Sequence, residues 1–256
     1  MKRRVLLLGL ILPLLQAAAQ QPDASQIMNK SRDQSITGSL NATVVLTITE
    51  KGGSTRNRTI SMMTKSYAEG LEKRIIRFIE PADVRGTSML VFDNKNTADE
   101  MWIYLPALKK TRRIVTSEKG KSFMSSEFSN ADMSSPSVSD FTHRHFEKSG
   151  SNNQWIIESI PVNEDKAEEY GFSKKISYIS MDKDQVLKME FYNFDNVLFK
   201  VIEIKSIFPL SDGKYMVKDM VASNLNTNRK SEILFTKINE GEHIEDSNFT
   251  IQNLER

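Results

Sequence analysis

From Leu40 onward the apolar residues recur every second position. Ala42, Val44, Leu46 and Ile48 alternate with Thr43, Thr47 and Thr49, which puts apolar side chains on one face of a strand and threonines on the other. Gly52-Gly53 supplies a turn, and Arg56 to Tyr67 forms the returning strand of a hairpin. Further strand patterns follow over 73–79, 87–93, 100–105, 111–116, 154–160, 172–181, 185–194, 198–208, 214–223 and 230–238. They are separated by turn chemistry such as Asp182-Lys183-Asp184, Asp195-Asn196 and Ser211-Asp212-Gly213. About twelve strands with short connections and no strand–helix alternation predict a mainly β protein of consecutive antiparallel hairpins. A twisted sheet of more than about ten strands curls toward an incomplete β-barrel. With no repeat of fixed period, propellers and solenoids are disfavoured.

Two segments depart from this pattern. Near the start, Asp23 or Ser25 caps a short helix containing Ile27 and Met28, which ends before Gly38. Thr116 to Phe146 is rich in Ser, Lys, Asp and Asn, yet carries Phe123, Met124, Phe128, Met133 and Phe141, and Ser135-Pro136 offers a helix start. An insertion of this length without strand pattern is either disordered or functional. Five large apolar residues argue against disorder. The expectation is a partly helical lid over about 116–146, lying across one end of the curled sheet.

Ahead of the first helix, Met1-Lys2-Arg3-Arg4, the apolar run Val5 to Leu15 and Gln16-Ala17-Ala18-Ala19 have the form of a secretory signal peptide over 1–19. That leaves 20–256 as a single domain. The apolar run is too short to cross a bilayer comfortably. Without Lys2, Arg3 and Arg4 the 35 basic residues fall to 32 against 33 acidic ones, so a nucleic-acid partner loses its electrostatic footing. The absence of cysteine excludes thiol catalysis, iron–sulfur and zinc-thiolate sites and a lipid-anchor cysteine. An exported chain of this kind suits a bacterial periplasm. No cofactor is expected.

Several strands are apolar on both faces. Met101, Ile103 and Leu105 alternate with Trp102 and Tyr104; Leu187, Met189 and Phe191 alternate with Val186, Tyr192 and Phe194. A sheet buried on one side only shows polar residues on the other. A partner protein, a second sheet or an apolar ligand must therefore fill the remaining space. The 12 Met and 13 Phe suit an adaptable apolar site. Candidate lining residues are Met62, Phe78, Met89, Val91, Trp102, Tyr104, Met189 and Phe191 from the sheet, with Met124, Phe128, Met133 and Phe141 from the lid. Core filling is the plain alternative for each. An acyl chain is an energetically sufficient cargo: at about 0.8 kcal/mol per methylene, sixteen carbons gain on the order of 10 kcal/mol before ordering costs.

Glu80-Pro81-Ala82-Asp83-Val84-Arg85-Gly86-Thr87-Ser88-Met89-Leu90 is followed by Met101-Trp102-Ile103-Tyr104-Leu105-Pro106-Ala107-Leu108-Lys109-Lys110-Thr111-Arg112-Arg113-Ile114. Together with Ser122-Phe123-Met124-Ser125-Ser126-Glu127-Phe128, these stretches resemble exported proteins of the LolA-like superfamily, often called outer-membrane lipoprotein-sorting proteins. Family members commonly carry Asp where this chain has Glu127. The resemblance covers roughly 25–254. It implies an incomplete antiparallel barrel wrapped around helices and enclosing an apolar cavity for the acyl chains of a lipoprotein or another lipid. It also implies a monomer that takes cargo from an inner-membrane donor complex, touches membranes transiently and delivers to an outer-membrane acceptor. Lys109, Lys110, Arg112 and Arg113 would then meet lipid phosphates or an acidic docking partner; a solvated charged face is their plain alternative. Independently of the family, Gly86 suits a turn or bulge and Pro106 a turn start. A sensory or structural protein whose concave face binds a polypeptide is the alternative function.

Enzymatic readings have little to stand on. His143 and His145 share a strand face, but a catalytic zinc needs a third ligand, which only folding could recruit from Asp140 or His243. Ser139, Asp140 and His143 are close in sequence, whereas a triad requires closeness in space, and no Gly-x-Ser-x-Gly elbow is present. No metal site and no catalytic activity are expected.

Overall fold

In a computed structural model describing residues 21–35, 38–95, 97–146 and 151–255, the period-two segments become thirteen strands of one antiparallel sheet. The signal segment expected over 1–19 lies outside the described residues. Six strands come first: β1 (Leu40–Thr49), β2 (Thr55–Ser66), β3 (Leu71–Glu80), β4 (Ser88–Asn94), β5 (Glu100–Leu105) and β6 (Lys110–Arg113). Seven follow the insertion: β7 (Phe141–His145), β8 (Gln154–Pro161), β9 (Lys174–Ser180), β10 (Val186–Tyr192), β11 (Leu198–Pro209), β12 (Tyr215–Asn224) and β13 (Arg229–Glu240). Each strand pairs with its chain neighbours, β6 and β7 excepted, and one seam, β1 against β13, joins the two halves. The sheet curls without closing, with β6 and β7 as its free edges. β7 is the strand absent from the sequence reading; it lies at the end of the stretch expected as a lid.

Alternation in β1 works as expected, with Leu40, Ala42, Val44, Leu46 and Ile48 all buried on the concave face. Register carries that face into Ile60 and Met62 of β2, Ile76 and Phe78 of β3, and Met89 and Val91 of β4. Gly86, with φ of +81°, makes the expected turn between β3 and β4, and its N–H bonds the Phe78 carbonyl at 2.9 Å.

The helix α1 (Ala24–Gln34) starts at Asp23, whose carboxylate accepts from the Ser25 and Gln26 amides. It lies on the concave side, where Ala24 and Ile27 meet Ile157 and Ile179. Two shorter helices complete the set among the described residues: α2 (Thr116–Lys119) and α3 (Glu164–Tyr170). Asn163 caps α3 by accepting from the Lys166 amide.

Two expectations are corrected here. The insertion is a plug: Phe123, Phe128, Ala131 and Met133 are buried in the main core with β1 to β4, where a lid across one end was expected. Trp102 and Tyr104 point to the outer face, because their register partners Leu90 and Ser88 do. There the C-terminal turns Asp246–Phe249 and Ile251–Glu255 cover them, burying Phe249 and Leu254 against Ile75 and Leu90. The chain's own tail thus supplies the second apolar neighbour that β5 requires. On the outer face of β10 no such cover is needed. Lys188, Glu190 and Tyr192 form a charged and aromatic ladder with Tyr178, the Lys188 Nζ lying 3.8 Å from the Tyr178 ring centroid and 2.7 Å from Glu190.

Candidate functional site

A cavity of about 330 Å³ lies between the concave face of the sheet, α1 and the plug. That is near the small end of the roughly 300–1,000 Å³ common for ligand pockets. Met62, Phe128, Met133, Met189 and Phe191 line it as expected from the sequence. Phe78, Met89 and Val91 are fully buried in the core without reaching the cavity, and Met124 packs against the same core. Phe141 stands one ring behind the wall, in contact with Tyr170 at 4.9 Å between centroids. Trp102 and Tyr104, on the far side of the sheet, do not line it.

The sequence reading missed an aromatic wall. Tyr170 and Phe172, at the exit of α3, line the cavity beside Phe191, with the Phe172 and Phe191 rings edge to face at 5.3 Å. The Asn163 cap followed by Glu164-Asp165 was the available signal for that helix.

Arg32, Arg74, Asp132, Lys175 and Ser177 make the wall locally polar. Most of these groups hold the plug. An irregular segment inside a core carries backbone groups that need partners, and side chains of the sheet and of α1 supply them. Arg58 donates to the Met124 carbonyl, Arg74 to the Met133 carbonyl, and Arg32 to the Ser135 carbonyl at 3.2 Å. The Ser135 amide in turn bonds Asp93 at 2.7 Å. Burial and the neighbouring Asp99 raise Asp93 to about 6 despite Arg74 and Arg32. Lys200 pairs with Asp132 of the plug at 2.8 Å. At the plug's start, α2 docks on α3. Lys119 and Glu169 form a buried ion pair there, and Gly120 lies so close to Gly171 that a Cβ on Gly120 would come within 2.9 Å of the Gly171 Cα.

Lys175 differs from these anchors. Burial and the charge of Lys200, partly offset by Asp132, hold its ammonium down at about 8.

The histidines do not assemble a catalytic or metal centre. His143 bonds Ser159 Oγ through Nδ1 at 2.8 Å and the Val138 carbonyl through Nε2 at 2.9 Å, and burial lowers its pKa. Asp140 is engaged by Lys166 at 2.9 Å and by the Tyr170 hydroxyl, while Ser139 meets Ser137. His145 reaches the Pro22 carbonyl and His243 pairs with Glu245. Among the described residues no group of three or more His, Cys, Asp or Glu is placed to hold a metal, and no helix is long and apolar enough to cross a membrane. Lys109, Lys110, Arg112 and Arg113 are brought together at the exposed β6 edge and the turn before it. Arg112 pairs with Glu118, and Arg113 with Glu100 at 2.9 Å.

A family model described as "Uncharacterized protein" matches residues 70–256. No curated protein matches the sequence significantly. Among solved structures, the chain is similar to a domain described as an outer membrane lipoprotein-sorting protein, from Vibrio parahaemolyticus. That likeness has a TM-score of 0.82 at 24% identity and covers 91% of this chain and 98% of that one. A DUF1329 family protein from Desulfovibrio piger gives 0.80 at 24% identity, covering 90% and 97%. A LolA superfamily protein from Nitrosomonas europaea gives 0.69 at 14% identity, covering 91% and 99%. These likenesses establish the fold.

Proposed function

The chain belongs to the family whose model it matches and has the LolA-like fold, and from that premise we propose that it is a periplasmic carrier which shelters acyl chains in its plugged cavity while they pass between membranes. The observation that carries this reading is the cavity itself. Its wall is built of Met, Phe and β-branched side chains from strands of both halves of the sheet, and the segment that stops it is held by side-chain bonds to its irregular backbone together with Phe123, Phe128 and Met133 in the core. An apolar chain entering such a space leaves water without requiring any catalytic group. The donor is an inner-membrane complex and the acceptor lies at the outer membrane. Lys109 and Lys110, exposed beside the free edge strand β6, are the contacts proposed for lipid phosphates or an acidic docking surface.

The test is native mass spectrometry of the exported protein, followed by titration of the lipid-stripped protein with a fluorescent sixteen-carbon acyl probe. Retained acyl lipid, or saturable probe binding that Met189→Trp weakens at least tenfold by filling the cavity, is the expected outcome. A protein that carries no lipid, binds no probe and instead copurifies stoichiometrically with a polypeptide would replace this reading with that of an interaction protein.

A further inference from the structure

Two buried hydrogen-bonding groups on the cavity wall, Ser177 Oγ and Arg32 Nη1, lack a partner among the described residues, and Lys175 beside them lacks an ion-pair partner. Ser177 is 1% exposed, lines the cavity, and its Oγ bonds to nothing in the protein. Arg32 is bound to Asp93 and Ser135 through Nη2 while its buried Nη1 is unbonded. Lys175 forms no ion pair among the described residues. The carboxylates on neighbouring elements are taken, Asp132 by Lys200 at 2.8 Å and Asp140 by Lys166 at 2.9 Å. Its recorded neighbour is the Phe141 ring, 5.4 Å from Nζ. Native interiors hold few unsatisfied polar atoms, and each calls for an explanation. Two on the wall of one cavity, beside an ammonium with no carboxylate partner, point to a ligand that supplies the acceptors.

The chemistry of the wall says what kind of ligand. Of its charged members, Arg32 is paired with Asp93, Arg74 with Glu72 and Asp132 with Lys200, which leaves Lys175 as the one lining cation with no carboxylate partner among the described residues. Lys175 and Ser177 are two positions apart on β9, so they share its concave face about 6.6 Å apart along the strand. That spacing lets one group with several oxygens accept from both. The orientation of β9 is unusual: Lys175 and Ser177 face the cavity, while Ile176 turns outward between Glu158 and Glu190 in register. A cavity near the small end of the ligand range takes one acyl chain with the plug in place.

Building on the carrier reading, we propose that Lys175 and Ser177 form a headgroup subsite, and that the ligand held beneath the plug is a single-chain anionic lipid whose carboxylate or phosphate takes their donated hydrogens. The lowered proton affinity of Lys175 agrees with an ammonium awaiting a counter-ion.

The experiment uses the lipid-stripped chain at pH 7 and compares palmitate, hexadecanol, palmitoyl lysophosphatidic acid and inorganic phosphate as competitors of the fluorescent acyl probe. Palmitate should bind at least tenfold more tightly than hexadecanol. Lys175→Met should bring the two within about twofold by weakening palmitate alone, whereas Lys175→Arg keeps the preference. The tighter of palmitate and the lysophosphatidic acid identifies the natural head. Equal affinity for acid and alcohol in the unmodified protein, or a preference that survives Lys175→Met, overturns the subsite and leaves the carrier reading intact. Inorganic phosphate competing as well as the lysolipid would reduce the site to a free-anion site and also overturn it. If no acyl compound binds, it is the carrier reading that fails.

Discussion

Replacing Lys175 by methionine should stabilise the lipid-free protein, and the gain should depend on pH in one direction. Lys175 is held down at about 8, against 10.5 for a free lysine, mainly because burial penalises its charge. The groups facing it are Asp132 from the plug, Lys200 from β11 and His143 from β7. Lys200 adds to the penalty, Asp132 relieves part of it, and His143 has its own proton affinity lowered by burial. A native state that binds a proton less tightly than the unfolded chain is destabilised wherever the unfolded chain is protonated. Below about pH 8 the whole penalty applies, and it fades between 8 and 10.5. At about 1.4 kcal/mol per pH unit the gap amounts to about 3 kcal/mol. Methionine keeps the apolar stem and removes the charge, so at pH 7 the variant should melt about 6–12 °C higher, at about 2–4 °C per kcal/mol for a chain of this size. Paired thermal melts across pH 6 to 10.5 read the difference at each pH, which cancels titrations common to both proteins. The difference should shrink steadily above pH 8, and saturating palmitate should shrink it at pH 7 by giving the ammonium a partner. A difference constant with pH, or a variant less stable at pH 7, would refute the account of a strained, unpaired cation.

Three further outcomes follow from particular contacts. Asp132→Asn removes the carboxylate that raises the proton affinity of Lys175, so the alkaline limit of palmitate binding should move below its starting position near pH 8 in a pH series of probe displacement. Gly120→Ala places a methyl 2.9 Å from the Gly171 backbone; chemical denaturation should show a loss of about 1–3 kcal/mol, because backbone on both sides must shift. Leu254→Ala empties a fully buried site under the C-terminal turns. It should cost about 2–5 kcal/mol and raise the binding of a hydrophobic dye, as Trp102 and Phe92 become accessible on the outer face.

The strands were legible because one-sided burial writes its period into the chain, as in β1, where every second residue from Leu40 to Ile48 is buried. β7 was not, since an edge strand with a single neighbour buries only Phe141 and leaves Thr142 and Arg144 exposed. Trp102 and Tyr104 were assigned to the wrong face for a related reason. Their two-faced strand did need a second apolar neighbour, but that neighbour is Phe249 and Leu254 in irregular turns with no period to read. Five of the expected lining residues do reach the cavity, since Met and Phe on a concave face are either wall or core. Composition alone could not separate Met62, on the wall, from Met89, in the core. The charged members of the wall were invisible for a stronger reason: Lys174 and Lys175 are adjacent and alike in sequence, and only the register of β9 sends one outward and the other in.

The two free edges of the sheet are successive strands, β6 and β7, and the stretch joining them, residues 114–140, is the same stretch that stops the hollow. Drawn out straight it would reach roughly 90 Å, many times the strand-to-strand spacing of about 4.8 Å. It is therefore a cork on a slack cord. It has length enough to swing clear with every ladder of the sheet still zipped, so uncorking asks that the arginine and lysine tethers let go and that Phe123, Phe128 and Met133 leave the core.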